Sequence, residues 1–176
     1  METIPLILAG IGNSGPEHWQ TLWQAEEPRF EKLEHSEWDK PDRAVWVEEL
    51  EAKLATLDEN VVLVAHSLAC LLVAHWSSST ERRVAGALLV SVPDPSGSNF
   101  PASATGFGNV PLRALPFRSV VVASTNDPYA SAEYMKACAE AWGSSFQLVG
   151  EQGHINASSG LGRWPQGRAF LRELES

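Results

Sequence analysis

The chain has 176 residues and a formal net charge of −9 at pH 7, because 22 acidic residues outnumber 13 lysines and arginines. Hydrophobic residues make up 44% and charged residues 20% of it, a composition typical of globular rather than disordered proteins. An acidic chain lacks the positive surface that nucleic-acid binding needs, so no nucleic-acid partner is expected. The length corresponds to about one domain, and we expect a single domain over residues 1–176.

The sequence also indicates a cytoplasmic protein with no membrane association. Its first apolar stretch, residues 4–11, is too short to span a membrane and lacks the basic flank and cleavage site of a secretory signal. Cys70 and Cys138 both fall in predicted helices, which favours free thiols over a disulfide. Neither cysteine has the spacing of a metal site, and we expect no metal.

Short apolar runs alternate with amphipathic stretches along the whole chain. In chain order they predict a strand at 4–9, a helix at 16–27, a weaker strand at 30–33, a helix at 41–57, a strand at 61–65, a helix at 68–76, strands at 84–92 and 118–124, a helix at 131–142, a strand at 145–149 and a helix at 166–174. Such alternation predicts a parallel sheet with helices on both faces. Sites in open sheets of this kind form outside the carboxyl ends of the strands.

A serine follows the third predicted strand. Residues 65–69 read Ala-His-Ser-Leu-Ala, a small-x-Ser-x-small pattern that is typical of the nucleophile elbow, a sharp strand-to-helix turn. Small residues are required at the outer positions because the turn brings neighbouring backbone close, and alanine meets this requirement only in part. The alternative is that Ser67 caps the N-terminus of the following helix.

An acid and a base follow two later strands. Asp127 comes after the strand at 118–124 and His154 after the strand at 145–149, so the chain order is Ser67, Asp127, His154 with spacings of 60 and 27 residues. This is the order of the catalytic triad in α/β-hydrolases. An aspartate before a proline and a histidine after a glycine are also ordinary loop residues. The coincidence of all three at strand ends favours a Ser–His–Asp triad.

Other residues compete for each role. Asp94 follows the fourth strand and is the second candidate for the acid, while Ser14 and Ser91 lack the elbow context. The remaining histidines are weaker candidates for the base because none follows the last strand. They are His18, His35, His66 and His75.

The loop after the first strand supports two interpretations. Residues 10–15 read Gly-Ile-Gly-Asn-Ser-Gly, which matches the dinucleotide-binding pattern G-x-G-x-x-G, and an acid follows at Glu31 or Glu34. The glycines of this pattern are Gly10, Gly12 and Gly15. Against a dinucleotide site, the next helix opens with bulky residues such as Trp19, where close packing on the sheet needs small ones.

In a hydrolase, the same loop supplies one backbone amide of the oxyanion hole, and the residue after the serine supplies the other. We therefore expect the N–H of Leu68 to be one donor. Ile11 is the first choice for its partner, and Gly12 is the second.

The chain resembles the small α/β-hydrolase-fold serine hydrolases related to retinoblastoma-binding protein 9, most closely their bacterial members. The resemblance covers nearly the whole length and rests on segments 10–19, 65–68, 124–129, 153–156 and 159–165, with Trp38 and Pro41. It implies a compact three-layer α/β-hydrolase fold with a mostly parallel central sheet and no large cap domain. It also implies Ser67, Asp127 and His154 as the triad.

Two departures from the family pattern limit what the resemblance implies. Ala69 stands where relatives often have glycine, which could crowd the elbow. The Leu-x-Cys-x-Glu motif that is associated with binding to the retinoblastoma protein is absent, since residues 68–72 read Leu-Ala-Cys-Leu-Leu. A retinoblastoma-type partner is therefore not expected.

The sequence thus predicts a serine hydrolase that cleaves a small carboxylic ester, thioester or amide through an acyl-enzyme on Ser67, without a cofactor. The alternative from another class is a non-catalytic binding or scaffold protein on the same fold. We expect His18, Trp19 and Trp164 to wall the substrate pocket, together with the long connection at 93–117. Core packing is expected for the tryptophans farther from the predicted site. They are Trp23, Trp46, Trp76 and Trp142.

Overall fold

The computed structural model describes residues 2–57 and 60–176. Its strands are β1 (Ile4–Leu8), β2 (Glu31–Lys32), β3 (Val61–His66), β4 (Gly86–Val90), β5 (Arg118–Ala123) and β6 (Ser145–Leu148). Its helices are α1 (Trp19–Glu26), α2 (Arg43–Leu54), α3 (Leu68–Ser77), α4 (Ala132–Trp142) and α5 (Pro165–Glu175). Every predicted strand and helix is present, and the differences are confined to their ends.

The strands form one sheet in the order β2-β1-β3-β4-β5-β6, and every neighbouring pair is parallel. The chain passes from β1 to β2 on one side and then returns to β3 on the other side of β1. This reversal leaves a crevice between the carboxyl ends of β1 and β3, which is where open α/β sheets bind their ligands. The residues that follow these two strands are the glycine loop and Ser67.

Helices cover both faces of the sheet. In β3, Leu63 and Ala65 belong to the apolar cluster that contains α2, α3 and α4, whereas Val62 and Val64 belong to the cluster of α1 and α5. This alternation follows from the two-residue period of a strand. All six residues of β3 are buried, as expected of a central strand covered on both faces. The expected three-layer α/β fold is confirmed.

The connection between β4 and β5 contains no helix or strand in the described part of the chain. It is anchored by Phe107, which is 1% exposed and packs edge-on against Trp46. The segment therefore lies on the domain as a long loop, and no cap of regular structure is built from it.

Two smaller expectations concern the cysteines and membrane spans. Cys70 and Cys138 are both free and buried, as predicted. None of the helices in residues 2–57 and 60–176 combines the length and hydropathy needed to cross a bilayer.

Candidate active site

Ser67 lies on a sharp turn between β3 and α3. Its φ of 58° and ψ of −125° fall in a region that residues other than glycine rarely adopt. The N–H of Ser67 donates to the carbonyl of Val90 at 2.9 Å, which ties the turn to β4. The Ser67 side chain makes no capping hydrogen bond to α3, so the helix-cap alternative is wrong. Strain of this kind is concentrated at functional sites.

The three predicted residues form one hydrogen-bonded chain. The Oγ of Ser67 lies 2.7 Å from Nε2 of His154, and Nδ1 of His154 lies 2.9 Å and 3.0 Å from the carboxylate oxygens of Asp127. The Asp127 side chain is fully buried, and that of His154 is 9% exposed. With its Nδ1–H donated to Asp127, the imidazole has a free lone pair at Nε2 to accept the serine proton.

Tyr129 holds the acid and covers the base. Its backbone N–H donates to Oδ1 of Asp127 at 2.9 Å, which helps to fix the carboxylate. Its ring lies over the imidazole of His154, with 4.4 Å between the ring centroids. Because Tyr129 comes two residues after Asp127, a search of the residues that follow each strand could have found it.

Three hydrogen bonds join the loop of the acid to the loop of the base, and a fourth, from Ser124 to Asn126, lies within the loop of the acid. Oδ1 of Asn126 accepts the N–H of Gly153 at 2.7 Å and the hydroxyl of Ser124 at 2.8 Å. The Ser124 hydroxyl oxygen in turn accepts the N–H of Gln152 at 3.1 Å, and the Thr125 N–H donates to Gly150. The neighbours of Asp127 therefore position the neighbours of His154, so the two side chains keep their register.

The competing acid and serines are not part of this chain. Oδ1 of Asp94 accepts the backbone N–H of Ser96 at 2.8 Å and makes no contact with His154. Ser91 is fully buried at the end of β4, and Ser14 donates to Gln20 at 2.7 Å.

Among the competing histidines, His66 supports the base rather than replacing it. Its Nε2–H donates to the backbone carbonyl of His154 at 2.8 Å, and burial holds its pKa well below the ordinary value. His75 bonds the Phe107 carbonyl, and His35 is stacked on Trp46, both away from Ser67.

The oxyanion hole has two candidate amides beside Ser67. In the described part of the chain, neither Leu68 N–H nor Ile11 N–H donates to any protein acceptor. Gly12 N–H, in contrast, donates to the carbonyl of Trp38 at 2.9 Å and is not available to a substrate. The hydrogen bonds therefore favour Ile11 over Gly12 as the partner of Leu68.

Gly10 sets how closely the glycine loop approaches the elbow. A Cβ at this position would lie 3.2 Å from Cβ of Ser67 and 3.2 Å from the carbonyl oxygen of His66. A Cβ on Gly15 would meet nothing within 4 Å. Contact with the serine turn favours the oxyanion-loop interpretation of these glycines over a dinucleotide site. The N-terminus of α1 is moreover already capped by His18, whose Nδ1 accepts the Gln20 N–H.

This difference between two glycines gives the first prediction. Gly10→Ala is expected to lower kcat for ester hydrolysis by about 10- to 100-fold, a part of the roughly 10²- to 10³-fold that one oxyanion donor contributes. The added methyl group pushes the Ile11 amide away from Ser67. Gly15→Ala is the matched control and should keep the wild-type rate, as measured by steady-state kinetics with melting temperatures for both variants. Equal rates for the two variants would show that the loop spacing does not matter.

Gln20 connects the glycine loop to the strands of the sheet. It is fully buried, and its Nε2 donates to the carbonyl of Leu8 at 3.0 Å, at the end of β1, and to that of Val64 at 2.9 Å, within β3. Its Oε1 accepts the hydroxyl of Ser14 in the loop. Nothing in the local sequence distinguishes this glutamine from a solvated helix residue, and only the fold reveals it.

A cavity of about 260 Å³ opens beside Ser67 and His154. The glycine loop and the connection between β4 and β5 form part of its walls. The sequence had predicted this role for the connection. Its apolar lining comprises Ile11, Leu68, Pro93, Phe100, Pro101 and Tyr129. Its polar lining outside the triad comprises Asn13, Ser14, His18, His66, Asn99 and Asn156.

The structure places His18 in this lining but not the two tryptophans. Trp19 and Trp164 are 1% and 2% exposed, and their rings pack 5.0 Å apart between α1, α5 and the sheet. The expectation that they wall the pocket is thus corrected. Trp19 faces inward on the same side of α1 as Trp23, and its Nε1–H donates to the carbonyl of Ile155 at 2.8 Å. It supports the backbone beside His154 instead.

The other tryptophans expected in the core are all buried, with at most 1% of each side chain exposed. They are Trp23, Trp46, Trp76 and Trp142. No group of three or more His, Cys, Asp or Glu side chains that could hold a metal ion occurs within residues 2–57 and 60–176.

Comparison with known proteins agrees with this geometry. The model of a family described as serine hydrolase matches residues 5–173. A YdeN-like hydrolase from Pectobacterium atrosepticum superposes with a TM-score of 0.85 at 28% identity, covering 99% of this chain and 94% of that one. No protein with a curated function matches.

More distant structures share the fold. The ydeN gene product of Bacillus subtilis has a TM-score of 0.80 at 21% identity, covering 99% of this chain and 98% of its own. An esterase from Thermogutta terrifontis has a TM-score of 0.69 at 17% identity, covering 99% and 92%.

Proposed function

We propose that this chain, which belongs to the serine hydrolase family, cleaves small ester-like substrates through an acyl-enzyme on Ser67. The observation that carries the proposal is the unbroken hydrogen-bonded chain from Ser67 through His154 to Asp127 at the mouth of a cavity. We further propose that it acts as one domain over residues 1–176 in the cytoplasm, where its free cysteines stay reduced.

In the first half of the reaction, Oγ of Ser67 attacks the carbonyl carbon while Nε2 of His154 takes the hydroxyl proton. The carbonyl π electrons move onto oxygen, and the new oxyanion accepts hydrogen bonds from Leu68 and Ile11. When the tetrahedral intermediate collapses, the bond to the leaving group breaks and His154 returns the proton to that group. Buried Asp127 stabilises the imidazolium between these steps.

Water completes the cycle by the same route. His154 removes a proton from the water that attacks the acyl carbon, and then protonates Oγ of Ser67 as the acid is released. No step requires a group other than the side chains and amides already described.

The cavity supports a short acyl group. Its volume of about 260 Å³ lies below the usual range for ligand pockets, roughly 300–1,000 Å³. Phe100, Pro101 and Pro93 are among the apolar residues that line it. Carboxylic esters are therefore the proposed substrates, with thioesters and amides as chemically related alternatives.

The test is a series of p-nitrophenyl esters from acetate to dodecanoate. We expect kcat/KM to be highest for the acetate-to-butyrate members and to fall by about tenfold or more for the longest, because the surplus methylenes do not fit in a cavity of about 260 Å³. Ser67→Ala serves as the blank for every ester. A rate that rises steadily with chain length would contradict the short-acyl proposal, and wild-type rates no higher than the blank would contradict hydrolysis itself.

A further inference from the structure

The cavity beside Ser67 has a neutral lining. None of its lining residues is Lys, Arg, Asp or Glu. Two of them are histidines outside the triad, and burial lowers the pKa of His18 to about 4 and holds that of His66 well below its ordinary value. The triad supplies no cation either, because Asp127 carries a negative charge behind His154, whose Nε2 faces Ser67 and accepts its proton. A substrate in this cavity therefore meets no fixed counterion.

Three of the polar lining residues are asparagines. Each uses one end of its carboxamide on the protein: Oδ1 of Asn13 accepts the Ser14 N–H, Oδ1 of Asn156 accepts the Ser158 N–H, and Nδ2 of Asn99 donates to the Pro128 carbonyl. In the described part of the chain, the other end of each carboxamide has no protein partner. The lining residues thus carry two amide N–H groups and one amide oxygen that are available to a ligand.

Uncharged hydrogen-bonding groups suit uncharged substrates. A carboxylate or phosphate moved from water into a small cavity without a cation loses solvation that amide dipoles only partly replace. The chain's net charge of −9 also repels anions at long range, before they enter the cavity. A hydroxyl, carbonyl or carboxamide loses far less solvation, and the free ends of the asparagines can bond it.

We propose that the site selects uncharged esters that carry a hydroxyl, carbonyl or carboxamide group, and discriminates against esters with an anionic group. This inference rests on the proposed function and specifies its substrate class. It assigns the discrimination to the asparagines at positions 13, 99 and 156, whose neutral side chains stand where an anion-binding site would have lysine or arginine.

The test compares 4-acetoxybenzamide with 4-acetoxybenzoate, two esters of nearly equal shape that differ in charge. Each kcat/KM is divided by the alkaline hydrolysis rate constant of the same ester. We expect the amide-substituted ester to be favoured by about tenfold or more, corresponding to about 1.4 kcal/mol. Equal or faster hydrolysis of the carboxylate ester would overturn the inference. Rates no higher than those of Ser67→Ala for both esters would instead overturn the proposed function.

Two lysine variants and a salt series distinguish the contribution of the cavity to this preference from that of the chain's net charge. Asn99→Lys should shift the ratio of the two rates toward the carboxylate ester by about tenfold. Asn109→Lys adds the same charge on an exposed residue of the same connection outside the lining, and should leave the ratio unchanged. The preference of the wild type should persist at about 0.5 M salt, where long-range repulsion is screened. Loss of the preference in salt, or equal effects of the two lysines, would contradict a role for the cavity.

Discussion

Asp127→Asn is expected to lower kcat for ester hydrolysis by about 10⁴-fold while leaving the fold intact. The carboxylate accepts the Nδ1–H of His154 and a backbone N–H of Tyr129 in a fully buried position. An asparagine would present an amide N–H, which cannot accept a hydrogen bond, to one of these donors. If that donor is Nδ1 of His154, the imidazole has to adopt its other tautomer. In that tautomer Nε2 carries the proton and cannot accept one from the serine.

Asp94→Asn is the matched control because Asp94 follows the neighbouring strand and was the rival acid in the sequence. Among the described residues its carboxylate bonds only the N–H of Ser96, an interaction that an asparagine oxygen can keep. We expect kcat within about twofold of the wild type, measured on the same ester and at the same pH. A large loss in Asp94→Asn with little loss in Asp127→Asn would move the acid to the earlier strand.

Ser67→Ala is expected to lower kcat by up to about 10⁶-fold, since the nucleophile and base act as one unit. The change removes a hydroxyl whose one hydrogen-bond partner among the described residues is His154, so the melting temperature should change little. Ser91→Ala is the matched control. Ser91 also has a φ of 58°, also follows a buried strand, and its hydroxyl has no partner in the described part of the chain. Removal of the Ser91 hydroxyl should leave the rate of ester hydrolysis unchanged. A loss of rate in Ser91→Ala as large as that in Ser67→Ala would indicate a structural cause.

The sequence was sufficient to predict the sheet and the convergence of three side chains. Strand–helix alternation identified which residues follow each strand, and parallel strands bring those residues to one edge. Ser67, Asp127 and His154 meet there because of the topology, at separations of 60 and 27 residues along the chain. The same reasoning could have included Tyr129 and Asn156, each two residues beyond a triad member.

The parts that could not be predicted depend on which way a side chain faces. Trp19 lies next to a cavity residue in the chain, but the period of α1 turns it toward Trp23 and the sheet. The choice between Ile11 and Gly12 as oxyanion donor depends on where Trp38 lies, because the carbonyl of Trp38 accepts the Gly12 N–H. Gln20 bonds the backbone carbonyls of two strands, β1 and β3, that are distant from it in sequence. A local sequence pattern does not reveal contacts with residues that are distant in the chain.

The central claim is that Ser67 is a nucleophile activated by His154. It is tested most directly by treating the folded protein with a fluorophosphonate, which phosphonylates an activated serine with loss of fluoride, and measuring the intact mass and the modified peptide. We expect one adduct per chain, located on Ser67, absent in Ser67→Ala and formed far more slowly in Asp127→Asn. A folded wild-type protein that remains unmodified, or an adduct on any other residue, would contradict it.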